Sequence, residues 1–162
     1  MAVDGGAAEE ILSFVRHQGL TLTLVVNTHM HADHTGGNRK LLSASRAEFP
    51  DTENLRKKGS VLLEGSPIAV YHTPGHTEDS VTFHLKMEKI LLTGDTLFNG
   101  TVGNCFSGDL KAFYRTVKHL LSLPADTLVY AGHDYVKDAM TAARRIEPGN
   151  PDIDRFLSGY SP

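Results

Sequence analysis

Thr28-His29-Met30-His31-Ala32-Asp33-His34 follows directly on the apolar run of residues 20–27 and sets four potential metal ligands within six positions. Imidazole nitrogen and carboxylate oxygen both suit zinc, manganese and iron, so a first-row divalent metal is the chemistry these groups share. Along an extended chain, His29, His31 and Asp33 fall on one face and His34 on the other. The following Thr35-Gly36-Gly37 invites a sharp turn, after which the two sets can serve two adjacent ions. A lone histidine here would be read as a solvated loop residue; four ligand groups this close form a metal motif.

Upstream, Val3-Asp4-Gly5-Gly6 reads as a strand end and turn, and residues 7–18 as a helix with Ile11, Phe14 and Val15 on one face. Gly19 closes that helix as its C-terminal cap. Residues 20–26 alternate and then turn continuously apolar, the pattern of a buried strand. Downstream come a short helix at 38–43, a polar loop at 44–59, and strands at 60–63 and 68–72. A turn at 73–77 leads to strands at 80–85 and 89–93, then a glycine-rich loop at 99–108. Asp109 caps a helix whose Leu110, Phe113, Tyr114, Val117, Leu120 and Leu121 make a core-facing stripe. A strand at 127–131, a helix at 136–145 and a short tail beyond Pro151 complete the chain.

Three further candidate ligands share one context: Gly75-His76, Gly94-Asp95 and Gly132-His133 each set a metal-binding group beside glycine, just after a strand. Loops at one edge of a rigid sheet are where sites are commonly built. The seven then divide into His29, His31 and His76 for one ion and Asp33, His34 and His133 for a second, with Asp95 bridging. Two cations about 3.5–4 Å apart can hold an acidified water between them and polarise a carbonyl.

The 162 residues suit one domain with a real core, and 40% hydrophobic and 22% charged content is ordinary for a globular protein. A net charge of −3 gives no reason to expect nucleic acid or an anionic membrane. No apolar run is long enough to span a bilayer and the first residues lack a signal-peptide pattern. One cysteine, Cys105, excludes an internal disulfide and fits a reducing cytoplasm.

The ordered set His-x-His-x-Asp-His, His, Asp, His resembles the signature of the metallo-β-lactamase superfamily. Within it, Thr93-Gly94-Asp95-Thr96-Leu97-Phe98, the stretch from Val129 to Tyr135, and Ala143-Arg144-Arg145-Ile146-Glu147-Pro148-Gly149-Asn150 resemble the glyoxalase II, or hydroxyacylglutathione hydrolase, branch. The resemblance implies an α/β fold, an αββα sandwich, covering residues 1–162 as a single domain. It implies two divalent ions, zinc ranked first with iron and manganese as the other candidates. It further implies hydrolysis of a small-molecule thioester such as S-lactoylglutathione by hydroxide bridging the ions. Asp33 and Asp95 are then the catalytic carboxylates, Asp33 as ligand and orienter of that hydroxide, and Tyr135 a contact to the glutathione backbone.

Two departures concern the thiol carrier. A lysine and an aromatic hydroxyl that bind glutathione in the family fall at Asn104 and Phe106, which supply neither. The family's helical C-terminal extension does not follow Asn150, and about thirty residues that form its first strands do not precede Val3. The latter implies a sheet with an exposed apolar face and a free edge, through which the chain could associate, or a chain that is a fragment of a longer one. A charged contact to a carboxylate is among the stronger hydrogen bonds, so glutathione affinity should fall. The alternatives are a persulfide dioxygenase holding one iron on His29, His76 and Asp95, and a metal-binding remnant without catalysis. His17 and His119 are expected on helix surfaces, His84 on the outward side of its strand, His72 as structural, Cys105 as a small filler, and Phe113 and Tyr114 in the core.

Overall fold

The computed structural model describes residues 1–161. In chain order it contains β1 (Ala2–Val3), α1 (Ala8–His17), β2 (Val25–Val26), α2 (Ala32–Thr35), α3 (Asn38–Ala44), α4 (Thr52–Lys58), β3 (Ser60–Leu63) and β4 (Ser66–His72). There follow β5 (Val81–Leu85), β6 (Ile90–Gly94), β7 (Leu97–Phe98), β8 (Thr101–Val102), α5 (Leu110–Leu120), β9 (Leu128–Ala131), α6 (Val136–Ile146) and α7 (Pro151–Gly159).

The main sheet has the order β3-β4-β5-β6-β9. Its first three pairings are antiparallel, and β6 pairs with β9 in parallel across the crossover through α5. Strands β4 and β6 both oppose β5, so they run parallel to each other and to β9. Their C-terminal ends therefore lie on one edge of the sheet. The end of β2 joins that edge, because the Val81 N–H donates to the Thr28 carbonyl at 2.8 Å.

Strand alternation builds the layers. Ile68, Val70, Val81 and Phe83 pack on Leu24 and Val26, while Leu91 and the partly buried Tyr71 and Val129 face α5 through Leu120. On the far side of β1 and β2, Ala8 and Leu12 of α1 and Leu41 of α3 close over Leu22 and Val25. The result is an αββα sandwich. Each fully buried Phe or Leu in it contributes about 1.5–3 kcal/mol. Pairing of β1 with β2 alone leaves the other edge of β1 beside a cleft of about 480 Å³, lined by Val3, Ile11, Phe14, Leu20 and Leu63 among others.

Several local expectations need correction. Residues 20–26 are not one strand: only Val25 and Val26 have a β1 partner, with an isolated bridge from Leu24 to Glu48. The polar stretch 44–59 holds helix α4, whose start Asp51 caps by accepting from the Asn54 N–H and whose end Gly59 closes at φ 66°. Beyond Pro151 the chain forms α7, capped by Asn150 with proline in its first turn. On α5 the buried residues are Phe113, Thr116 and Leu120, whereas Leu110, Tyr114 and Leu121 are exposed, so Tyr114 is not core. His84 is buried rather than outward, because α5 covers that face of the sheet, and its Nδ1 lies 3.0 Å from the Tyr71 hydroxyl.

Candidate metal centre

The shared sheet edge delivers all seven sequence-expected ligands to one place. His29 lies in a bend just past the end of β2, His31 is extended, and the chain then turns into α2 at Ala32. Asp33 and His34 thus sit on a helical turn instead of continuing the strand, which brings His34 back beside His29, with ring centroids 4.1 Å apart. His76 comes from the turn between β4 and β5, Asp95 from the residue after β6, and His133 from two residues after β9.

Two donor groups result. His31 Nδ1 lies 3.0 Å from His29 Nε2 and 3.1 Å from His76 Nε2, so three ring nitrogens converge. Asp33 Oδ2 lies 3.1 Å from His133 Nε2 and 3.8 Å from His34 Nε2. Asp95 stands between the groups, with Oδ1 at 3.3 Å from His34 Nε2 and Oδ2 at 3.4 Å from His133 Nε2 and 3.7 Å from His76 Nε2. The sets His29-His31-His76 and Asp33-His34-His133 are each close enough to hold one ion, and so is a third set, His29-His34-Asp95, which cuts across that division.

The donors fit divalent ions. Among the buried side-chain atoms that lack a hydrogen-bond partner are His34 Nε2 and Asp95 Oδ1, and orphaned buried polar atoms are costly unless something completes them. His29, His34, His76 and Asp95 are buried, while Asp33, His133 and His31 open towards solvent. The set of nitrogen and oxygen donors without thiolate is the one zinc, iron and manganese accept. Cys105 stands apart, its Sγ against the Ser107 hydroxyl.

Proton affinities reflect the crowding. Burial, then the neighbouring His34 and His76 rings, lowers the His29 pKa to about 4. For His34 burial also pulls downward, but the hydrogen bond to the Asp4 carboxylate and the negative charge of nearby Asp95 outweigh it and raise the pKa to about 10. Asp95 is pushed up by burial yet held below the usual carboxylate range by the His34 and His133 rings close beside it.

Over the cluster opens a cavity of about 390 Å³, walled by Phe98, Val102, Phe106 and Tyr135 and, among the described residues, lined by no lysine or arginine. Phe106 stands on the His31 and His76 side, its ring 5.8 Å and 5.3 Å from theirs, and Tyr135 stands 5.8 Å from His133. Asn104 takes part through its backbone, whose carbonyl accepts from His76 Nδ1 at 3.0 Å. Two glycines permit this packing. A Cβ on Gly94 would stand 2.3 Å from Thr28 Oγ1, and one on Gly132 would stand 2.3 Å from Asp95 Oδ1.

Sequence reading did not find Asp4 or Thr28. Asp4 follows β1, and its carboxylate reaches His34 Nδ1 at 2.8 Å across thirty positions of sequence. In the sequence, an aspartate before Gly5-Gly6 carries only the signal of a turn.

The model of the metallo-beta-lactamase superfamily matches residues 3–49 and 46–133. The hydroxyacylglutathione hydrolase of Chromohalobacter salexigens is 34% identical over 96% of this chain and 65% of its own length. The chain thus spans just under two thirds of that relative. Among solved structures, ETHE1 from Myxococcus xanthus is 31% identical with a TM-score of 0.72, over 82% of this chain and 64% of that one. A second, TTHA1623 in a di-iron-bound form, is 28% identical with a TM-score of 0.67, over 82% of this chain and 80% of that one. The match of the family model across most of the chain, together with the αββα layers and the donor cluster at the sheet edge, makes this chain a member of the metallo-β-lactamase superfamily.

Proposed function

We propose that the chain hydrolyses a small-molecule thioester, with His29, His31 and His76 holding one divalent ion, Asp33, His34 and His133 a second, and Asp95 both. The observation that carries this reading is the convergence of seven donors, with two buried atoms otherwise unpartnered, beneath an open cavity. Zinc is the first candidate for the ions, with iron and manganese next. Bound there, they would supply Lewis acidity and a water acidic enough to attack at neutral pH. The similarity to proteins named hydroxyacylglutathione hydrolase supports a thioester as the substrate.

The chain's own groups supply orientation. Asp33 is the exposed carboxylate at the rim, its Oδ2 3.1 Å from His133 Nε2, and held ionised it would accept a hydrogen bond from an attacking water and so orient it. Its pKa lies below the usual value: burial works upward, but a backbone hydrogen bond and the charges of His34 and His133 prevail. Tyr135 and Phe106 wall the substrate in from opposite sides, and Tyr135 offers its hydroxyl to the thiol carrier. With no cation in the lining, a glutathione carboxylate gains no charged partner at this cavity, so the KM for a glutathione thioester should be high.

The test is hydrolysis of S-lactoylglutathione by chain loaded with zinc, iron or manganese, followed by loss of thioester absorbance, against a chelated control. Turnover that appears with two ions per chain supports the reading. Bound ions without turnover on glutathione or coenzyme A thioesters would refute it. Full activity with one iron, and oxygen uptake on glutathione persulfide, would assign His29, His76 and Asp95 to a dioxygenase instead.

A further inference from the structure

We propose that the cavity between the end of β9 and α7 is a second chamber of the substrate site, and that it takes an uncharged planar ring carried by the thioester. The inference rests on the reading that the chain hydrolyses thioesters, and it concerns the part of the substrate remote from the reacting carbonyl.

This cavity, of about 390 Å³, adjoins the one over the donor cluster, because His133 and Tyr135 line both. Aromatic side chains dominate its walls. Tyr130 comes from β9, Tyr135 from the residues just before α6, Phe156 from α7 and Tyr160 from the end of that helix. Three of the five tyrosines of the chain therefore meet at one cavity. Tyr135 stands at the junction, its ring 5.0 Å from that of Phe98 and 5.8 Å from that of His133. A group attached to a thioester held at the donors would pass Tyr135 to enter the second chamber.

Packing of the protein does not account for these rings. Among the described residues of α7 only Ile153 is buried. Phe156, three residues along and on the same face of the helix, stays 44% exposed. Tyr130 and Tyr135 are likewise 56% and 45% exposed. A ring left half in water lacks part of the free energy that its burial would bring, and a ligand ring inserted among these four would supply that cover. Edge-to-face and offset contacts favour a flat aromatic group there over an aliphatic one of equal area.

Charge argues against an ionic group. Among the described residues the lining holds no lysine or arginine, so a carboxylate or phosphate finds no charged partner. The one carboxylate, Asp134, has both oxygens engaged: Oδ1 accepts from the Val136 N–H at 3.0 Å, and Oδ2 from the Tyr160 hydroxyl. An ammonium group would compete with those donors. The Tyr160 contact also ties the end of α7 to the loop that carries His133, which closes the chamber on that side.

Three thioesters test the assignment: S-acetyl-N-acetylcysteamine without a ring, S-phenylpropionyl-N-acetylcysteamine with a ring on the acyl side, and S-phenylpropyl thioacetate with a ring on the thiol side. Hydrolysis by the ion-loaded chain should favour a ring-bearing probe over the ringless one by about 10-fold in kcat/KM, through KM, the worth of one good aromatic contact. The probe that gains shows which side of the thioester enters the chamber. Phe156→Leu and Tyr130→Leu each keep apolar bulk and remove a ring, and each should abolish most of that preference; if one of them does not fold, the other decides. Tyr160→Phe, which loses only a hydroxyl, should retain the preference. A probe with trimethylammonium in place of the ring should gain nothing over the ringless one. Equal kcat/KM for all probes, a preference unchanged in both leucine variants, or a larger gain for trimethylammonium would overturn this inference alone. No turnover of any probe by a chain holding two ions would overturn the thioester reading and this inference with it.

Discussion

Gly132→Ala adds one methyl group to the protein, and the structure says where it goes. The new Cβ would stand 2.3 Å from Asp95 Oδ1 and 2.7 Å from His34 Cε1, with Gly94 C behind at 3.3 Å. Ordinary contact begins near 3.4 Å, so Asp95 or the 132–133 loop must move by about 1 Å. Gly132 is not among the glycines with positive φ, so the alanine backbone itself is unstrained and the effect is one of space. Functional constellations tolerate about 0.5 Å, and a misplacement of about 1 Å can cost around 100-fold in rate. We therefore expect kcat/KM on a thioester to fall about 100-fold and at least one of two ions to be lost on dialysis. The ion-free melting temperature should drop by only the few degrees of a local overpacking of about 1–3 kcal/mol. Elemental analysis, turnover and thermal melting of the chelated protein measure the three. Gly149→Ala, whose Cβ meets nothing within 4 Å, serves as the control. Wild-type metal content and turnover within threefold in Gly132→Ala would refute the placement of Asp95 between two ions.

Asp95→Ala and His133→Ala should each abolish metal-dependent hydrolysis, whereas Tyr135→Phe should mainly raise KM, because it removes a contact and no donor; equal kcat losses for all three would contradict this division. In chelator the stability of the ion-free chain should peak near pH 6.5. His34, raised to about 10, contributes stability that is complete below pH 6.5 and is lost as pH rises towards 10. His29, lowered to about 4, contributes stability that is present above pH 6.5 and is lost as pH falls towards 4. A melting temperature flat from pH 5 to pH 9 would discount both shifts. Leu41→Ala, at a residue with 0% exposure between α3 and β2, should cost about 2–5 kcal/mol by urea unfolding, with the metal stoichiometry unchanged.

How much the sequence revealed depended on whether the signal was local. His29 to His34 could be read because the donors are neighbours, and His76, Asp95 and His133 because each follows an apolar strand and touches a glycine. Strands β4, β5, β6 and β9 were visible for the same reason: each carries its own alternation or apolar run. Helix α4 was hidden by its polarity, since only Thr52 and Leu55 are buried. Its two end signals, Asp51 and Gly59, were present and outweighed by the charged residues between them. On α5 the apolar stripe was real, but sequence fixes which residues are apolar and not how wide a face the sheet covers. Leu110, Tyr114 and Leu121 lie beyond that width. His84 failed in the opposite sense, because alternation says that two faces differ and cannot say that a helix will cover the second.

The same distinction explains why the donors were legible and Asp4 was not. A metal ligand is recognised by its type, and histidine is rare enough that patterned placement stands out. A group that hydrogen-bonds a donor histidine has no type of its own: carboxylate, carbonyl and hydroxyl all serve, as Asp4, Asn104 and Thr28 do here. What selects Asp4 is position, thirty residues from His34 in sequence and one hydrogen bond away in space. That proximity exists only because β1 pairs in parallel with β2, with Val3 opposite Val26, so that both strands end at the same level. The next residues, Asp4 and Asn27, then meet, and the carboxylate lies beneath the turn that carries His34. A one-residue slip in that short ladder would point the carboxylate to the other face and leave His34 Nδ1 without its acceptor. The register of two residue pairs therefore shapes the donor cluster as much as the histidines themselves do.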